Sequence, residues 1–560
     1  MKNINRKKIW IALAAVMAFG CKKEFLEKPP TDSIVDASFY KTDDQVLAST
    51  GLLYSKVWFD YNDKASYNLG DFRAGTAYSA YNDRGNVLFN TTGNTPENGS
   101  SWRSFFIVVG QSNLAIININ KYAGSGVTPS VKKMAIAEAR FMRALAYRFL
   151  VMNWGAVPII EDNLALLSDT TKPRNTEKSV WKFITKEMRA AAADLPDKPA
   201  RAGRLTKWSA EGMLARFYLE RSGVESNGAG ARNQSFLDSA KYYSDDVIKN
   251  SGASLLKNYS DLFLFPYDNN PESLFSLQWV YSPGAWGTQN STPAYLAYSP
   301  DIANGDGWGG DKGATWWMMT NYEGFTASAN GDTLKGKTLD QRLKATFMLP
   351  GAYYAEITQS TTNGKQKLIY PSTASTGNDG NFLAIKKYVT GKAEDVGGQS
   401  ASQYYGNDTY MQRLAEMYLI YAEATLGNSA TTSDATAMSY FNKVHTRAGL
   451  APDTTSILNI DKILKERFIE FAVEGMAWYD LVSLHYYNKA KAYAILNAQD
   501  RGLFATIPDR TPDPTSWTLI KTVWATTDRK INANDGNFLL PIPAAELAQA
   551  PNLLKPPVDY

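Results

Sequence analysis

Between residues 130 and 152, Ala137, Phe141, Leu145 and Phe149 recur at intervals of four. That period lines them up on one face of a helix. Small residues interleave with them (Ala139, Ala144 and Ala146), so a second helix can approach closely. Gly155 and Pro158 end the element. Similar patterns predict helices at 103–122, 176–194, 206–221, 233–250, 409–426, 434–448, 461–475 and 477–495, with Thr206 as an N-cap. Most fall into pairs with short connections: 103–122 with 130–152, 176–194 with 206–221, 409–426 with 434–448, and 461–475 with 477–495. Such pairs suggest tetratricopeptide-like units. The expected fold is therefore mainly α, an α-α superhelix of helix pairs. An earlier helix opens at Asp43 or Asp44, and 60–101 read as loops. Residues 251–408 break the helical pattern with short apolar runs between Gly, Ser, Thr and Asn clusters, a loop-rich insertion containing some β-strand. The tail is extended by Pro541 and Pro543.

The start of the chain carries a different signal. Lys2, Arg6, Lys7 and Lys8 precede an uncharged, mostly apolar stretch from Ile9 to Phe19, the length of a signal-peptide core and too short to span a bilayer. Gly20 then precedes Cys21, the only cysteine in 560 residues. A small residue followed by cysteine at this point resembles the bacterial lipobox, which makes Cys21 the expected lipidation site and residues 1–20 a lipoprotein signal peptide. Residues 21–36 read as a lipid-anchored tether and 37–560 as one domain, its scaffold at about 37–250 and 409–560 around the insertion. The four basic residues at 1–20, unaccompanied by acidic ones, account for the whole difference between 59 Lys+Arg and 55 Asp+Glu. The expected mature body is neutral, and nothing in it suggests nucleic acid as a partner. Two histidines and one cysteine argue against a catalytic zinc site or a Cys–His nucleophile, and no cofactor or metal is expected.

Several segments together resemble a known family. Ala137-Glu138-Ala139-Arg140-Phe141-Met142-Arg143-Ala144 through Tyr147, followed by Trp154-Gly155-Ala156-Val157-Pro158, is similar to a signature of the SusD/RagB family of outer-membrane nutrient-binding lipoproteins. So are Gly203 to Lys207 with Leu214 to Leu219, Arg413 to Ala424, Val444 to Leu450, Glu466 to Phe471 with Glu474-Gly475, and the closing Leu540-Pro541-Ile542-Pro543 with Pro551-Asn552-Leu553. The chain departs from the family pattern at Ala477 and Ser483, where arginines are frequent, and in its last six residues. The resemblance implies tetratricopeptide-like helix pairs and a loop-rich ligand region. It also implies cell-surface attachment at the outer membrane and a SusC-like TonB-dependent transporter as partner. The ligand it implies is an oligosaccharide or polysaccharide, or a peptide in the RagB-like branch.

Glu466, Glu470 and Glu474 share one stripe of a helix. Two carboxylates about 5–10 Å apart could serve a glycoside hydrolase, but pairing with arginines such as Arg467 is the reading we favour, so no catalytic residue is expected. Arg140 and Arg143, with Glu138, read as interhelical pairs. The ligand candidates lie among the aromatics of the insertion, Trp279, Tyr281, Trp286, Tyr295, Tyr298, Trp308, Trp316, Trp317 and Tyr322. Sugars stack their C–H faces on such rings, and pocket residues tend to come from loops. Trp308, between Gly307 and Gly309, is the leading candidate. A second patch comprises Asp71, Arg73, Tyr78, Tyr81 and Arg84, with Trp102 nearby; family members place ligand contacts in this early loop as well. Asn304-Gly305-Asp306-Gly307 lacks the later acidic ligands of a calcium loop and reads as a turn.

Overall fold

The computed structural model describes residues 39–80, 84–168, 171–361, 363–371, 383–502, 504–506, 514–521 and 529–560. The signal segment, Cys21 and Tyr81 lie outside these residues. Ten longer helices form the scaffold: α1 (Asp43–Gly51), α2 (Pro96–Tyr122), α3 (Pro129–Trp154), α4 (Glu177–Asp194), α5 (Lys207–Arg221), α6 (Gln234–Asn250), α7 (Leu414–Leu426), α8 (Ala435–Arg447), α9 (Ile460–Glu470) and α10 (Ala477–Ala498). Most start where a side chain meets an orphan backbone N–H. Thr176, Thr206, Asn233, Asp434 and Asn459 each accept from the amide three residues on. At α1 the cap is Thr42 in a capping box with Gln45, so Asp43 and Asp44 occupy the first turn rather than the cap. α3 ends where Gly155 adopts φ 70°.

The helices pack in sequence order: α2 on α3, α3 on α4, α4 on α5, α5 on α6, α6 on α7 and α7 on α8. The fold is mainly α, built of tetratricopeptide-like helix pairs. Because α6 packs directly on α7, the array is continuous across the insertion that separates them in sequence. Phe141, Leu145 and Phe149 are buried in its core together with Ala139, Ala144 and Ala146, and each such large apolar side chain stabilises the fold by roughly 1.5–3 kcal/mol.

Residues 60–101 depart from the expected loops. They contain two wide π-helical turns, Tyr61–Ala65 and Asn68–Phe72, and α2 already starts at Pro96. The π turns are rich in Asn, Asp and Gly, which hides them from a search at the α period. Short strands lie within the insertion and join it to its flanks: β1 (Ala77–Ser79) pairs with β3 (Lys312–Ala314), β2 (Ser273–Leu277) with β10 (Thr409–Arg413), β6 (Tyr353–Thr361) with β7 (Gly364–Ile369), and β8 (Ser400–Ala401) with β9 (Tyr404–Tyr405). β4 (Phe325–Ala327) and β5 (Thr333–Gly336) join β12 (Trp517–Lys521) and β11 (Phe504–Thr506) in one antiparallel sheet. A second core gathers Tyr298, Met319, Phe347 and Ile385 from the insertion with Phe72 and Tyr78 before it and Ile469, Val473 and Leu519 after it. The insertion is therefore packed into both flanks rather than standing as a separate unit. The tail returns along the scaffold, its Leu540 amide donating to the Asn153 carbonyl at 2.8 Å.

A buried charge network joins insertion to scaffold. Glu470, at the end of α9, is fully buried and meets Arg342 at 3.2 Å, Arg413 at 3.0 Å and Arg447. Arg342 also pairs with Asp340 and Glu466, Arg413 with Glu272 and Glu474, Arg447 with Glu272, and Lys387 with Glu474. His445 reaches Glu466 at 3.0 Å. The three glutamates are thus paired as expected, with other partners: Arg467 turns instead to Asp480 and Glu416. Glu474 has left the helix, which stops at Glu470, so the stripe is helical only through its first two members. Arg143 makes the expected interhelical pair, with Glu187 of α4, and Glu138 meets Arg204 just before α5. Arg140 is half-buried and makes no ion pair among the described residues.

Burial alone would raise the Glu470 carboxyl, but Arg447, Arg413 and Arg342 overcome it and hold the group at about 2. Its folded value lies below the ordinary 4.5, so its contribution to stability is present above that pH and is lost as pH falls toward 2. Glu470→Gln should destabilise the protein by about 3–5 kcal/mol near neutrality by stranding buried guanidiniums. The gap to wild type should narrow by on the order of 3 kcal/mol between pH 5 and pH 2. Denaturant titrations at stepped pH would measure it, and a gap that stays constant would show that Glu470 is not the titrating group.

Candidate functional site

The aromatic rings of the insertion separate into two groups. Trp279 is buried against Phe59 and donates its indole N–H to Thr409 at 2.5 Å. Tyr295 stacks on Tyr67 with centroids 5.0 Å apart, and Tyr298 sits edge-on to Tyr370 at 5.0 Å. Trp316 is buried beneath the Lys521 ammonium, 4.5 Å from its ring. Tyr322 is buried too. Tyr295, Tyr298 and Trp316, expected as ligand contacts, are instead buried and packed against neighbouring side chains. Tyr281 and Trp317 are half-buried. Trp286 and Trp308 differ, standing 53% and 58% exposed.

The early patch is likewise internal. Asp71 is fully buried and accepts from the Thr76 hydroxyl at 2.9 Å and the Val473 and Gly475 amides at 2.7 and 2.8 Å. Burial raises its carboxyl to about 6, and those donors limit the rise. At the same contact a Cβ on Gly70 would lie 2.3 Å from the Gly475 Cα, so only glycine fits. Arg73 lies between the rings of Phe89 and Trp478, 4.2 and 4.6 Å away, and donates to the Asn537 and Phe538 carbonyls at 2.6 and 2.8 Å. Burial lowers its guanidinium to about 9. Trp102 packs edge-on against Trp154 at 5.3 Å, and Tyr78 is buried in β1. Asp71, Arg73 and Trp102 thus hold the scaffold together and present no surface to a ligand. Tyr81 lies outside the described residues; the Ala80 amide before it donates to the Asp311 carbonyl at 3.0 Å, close in sequence to Trp308.

Trp308 is held out by its backbone. Its amide donates to the Ala294 carbonyl at 2.9 Å, and its carbonyl accepts from the buried Lys312 ammonium at 2.9 Å. A Cβ on Gly307 would come within 2.6 Å of the Ser299 backbone, and one on Gly309 within 2.1 Å of the Leu296 carbonyl. The glycines therefore do more than withhold bulk: they let the backbone press onto that of Leu296 and Ser299, with the Trp308 side chain left on the outside. Lys312 is itself fixed by Asp311 at 2.7 Å and lies 4.2 Å above the Tyr295 ring.

Trp286 sits on a turn closed by the Val280 amide donating to the Thr288 carbonyl at 3.0 Å. Its ring meets Phe59 at 5.3 Å and Tyr404 at 5.8 Å, both edge-on. The turn that carries Trp308 touches the same β8–β9 hairpin, because the Ser402 hydroxyl donates to Asp306 at 2.7 Å and Asn304 donates to the Ser400 hydroxyl at 2.9 Å. Asn304 to Gly307 is a turn, as its composition suggests, with Asn304 at φ 54°. Two exposed indoles thus flank one hairpin, with Tyr404, Ser402 and Asp306 between them and the exposed Lys64 6.0 Å from the Tyr295 ring beneath. Ring faces carry negative potential and suit the C–H faces of a sugar; the carboxylate, hydroxyls and ammonium can reach its hydroxyl groups. Among the described residues no group of three or more His, Cys, Asp or Glu side chains is placed to hold a metal.

Tyr404, Ser402 and Lys312 were not singled out by the sequence. The Tyr404-Tyr405 pair resembles any short strand, and only the three-dimensional approach of residues 286 and 306 to it marks a surface. Lys312 reads as a solvated charge until its burial is known.

A model of the SusD family matches residues 271–558, and a model described as starch-binding and associating with the outer membrane matches residues 24–219. A SusD-like protein of Bacteroides ovatus is 35% identical over 567 aligned positions, covering 99% of this chain and 98% of its own. A crystal structure with a xylogluco-oligosaccharide has a TM-score of 0.79 to this fold at 33% identity, covering 92% of this chain and 99% of its own. A laminarin-binding SusD-like protein shares the fold, with a TM-score of 0.64 at 21% identity over 91% of this chain and 98% of its own. Matched in both halves by family models and along almost its whole length by a relative of this identity, the chain belongs to the SusD family.

Proposed function

We propose that this protein is a cell-surface glycan-binding lipoprotein, anchored through Cys21 in the outer membrane, that captures oligosaccharide and passes it to a SusC-like TonB-dependent transporter. The observation that carries the binding role is the pair of exposed indoles, Trp286 and Trp308, on either side of the β8–β9 hairpin. Large indoles left in water by an otherwise packed core are an expected feature of an interaction surface. The relative crystallised with a xylogluco-oligosaccharide favours a glycan over a peptide and makes xyloglucan fragments the first ligand to test. Trp286 and Trp308 are the proposed stacking residues, with Tyr404, Asp306 and Lys64 as polar neighbours. Binding needs no nucleophile, and the carboxylate stripe of Glu466 and Glu470 is neutralised by buried arginines.

Calorimetry with xylogluco-oligosaccharide should give an affinity loss of about tenfold or more for Trp308→Ala and for Trp286→Ala, with thermal stability unchanged. Unchanged affinity in both variants would overturn the stacking assignment, and binding of peptides in place of glycans would overturn the ligand class. Incubation of the purified protein with polysaccharide should release no reducing ends; sustained release by the wild-type protein would mean hydrolysis instead. In cells, Cys21→Ser should abolish incorporation of labelled fatty acid and move the protein out of the membrane fraction, and persistent labelling would refute the anchor.

A further inference from the structure

Trp317 has a different setting from its neighbour Trp316. Thr315 caps a short helix, Trp316–Thr320, and the Trp317 amide donates to the Asp500 carbonyl at 2.8 Å. One side of the Trp317 ring rests edge-on against Phe468 of α9, with centroids 5.4 Å apart. The rest of the half-buried indole lines an open cleft of about 490 Å³ between α9 and α10, floored by Leu464, Phe468 and Ile495. That volume is within the range of small-ligand sites. An ion pair between Asp461 and Lys491, 2.7 Å long, ties the two helices at the rim.

Three polar groups at this cleft have no partner among the described residues. They are the indole N–H of Trp317, the Oδ1 of Asn321, whose amide nitrogen already donates to the Trp317 carbonyl at 2.9 Å, and the half-buried ammonium of Lys465. Two donors and an acceptor grouped about an aromatic wall suit a ligand with a flat apolar face and hydroxyl groups at its edge. A pyranose ring has that pattern.

We propose that the Trp317 cleft is a second saccharide subsite, separate from the Trp286–Trp308 surface, that engages a further part of the same polysaccharide chain. This rests on the glycan-binding reading given above. The chain from Trp308 to Trp317 can span no more than about 32 Å even if fully extended, so the two indoles stand no further apart than that. Two linked contacts on one polymer convert the second encounter into an intramolecular one, and affinity then depends on ligand length.

The test compares a short xylogluco-oligosaccharide with polymeric xyloglucan, by calorimetry and affinity electrophoresis, on the full chain. Trp317→Ala should weaken retention of the polymer by about tenfold or more and change affinity for the short ligand less than about twofold. Lys465→Ala and Asn321→Ala, which leave the Trp317–Phe468 contact in place, should shift the polymer in the same direction. Equal loss for both ligands would mean that Trp317 acts only through packing, and no loss for either would mean that the cleft holds no sugar; each result overturns the subsite. Trp286→Ala and Trp308→Ala separate the two readings. If they leave short-ligand binding intact, the primary assignment fails, whatever Trp317 does.

Discussion

Glu470 receives guanidinium groups from three separate stretches of the chain: Arg342 from within the insertion, Arg413 from the strand that leads back to the scaffold, and Arg447 from the end of α8. Burying so many charges is costly, and the cost is offset only where each charge meets its partners at good geometry. The network therefore ties the insertion to the helices. Its influence extends outward by contact. Just beyond α9, Val473 and Gly475 hold Asp71; the π turn that carries Asp71 follows Tyr67; Tyr67 stacks on Tyr295; and Lys312, above Tyr295, grips the carbonyl of Trp308. A surface indole is thus backed by rigid support running from the molecule's centre.

The helix array was legible in the sequence because apolar residues at intervals of four, N-caps such as Thr206 and the glycine at 155 are local signals. The pairing of the carboxylate stripe was legible in kind but not in partner. Arg467 is adjacent in sequence, whereas Arg342 and Arg413 reach Glu470 through the fold. The π turns at 61–72 were not legible, since their period differs from the α-helix and their polar composition resembles loop.

The candidate surface shows the same division. Flanking glycines marked Trp308, and it is exposed. Tyr295, Tyr298 and Trp316 share its aromatic, glycine-rich neighbourhood, yet the second core encloses them. Composition identifies a region rich in rings; which rings face water depends on long-range packing against residues 67–78 and 469–473. Asp71 and Arg73 failed as ligand candidates for the same reason, their partners lying some four hundred residues away in sequence.

The β8–β9 hairpin turns through only two residues, Ser402 and Gln403, with Ser402 in the left-handed region at φ 51°. Because the turn bearing Trp286 and the turn bearing Trp308 both rest on it, this hairpin acts as a spacer that sets the pitch between two rings. Each residue gained or lost there would alter its reach by up to about 3.3 Å, and none of its residues belongs to the buried charge network. On the proposed glycan-binding role, an insertion or deletion at this solvent-facing turn would change the pitch offered to a sugar chain and leave the buried charge network as it is.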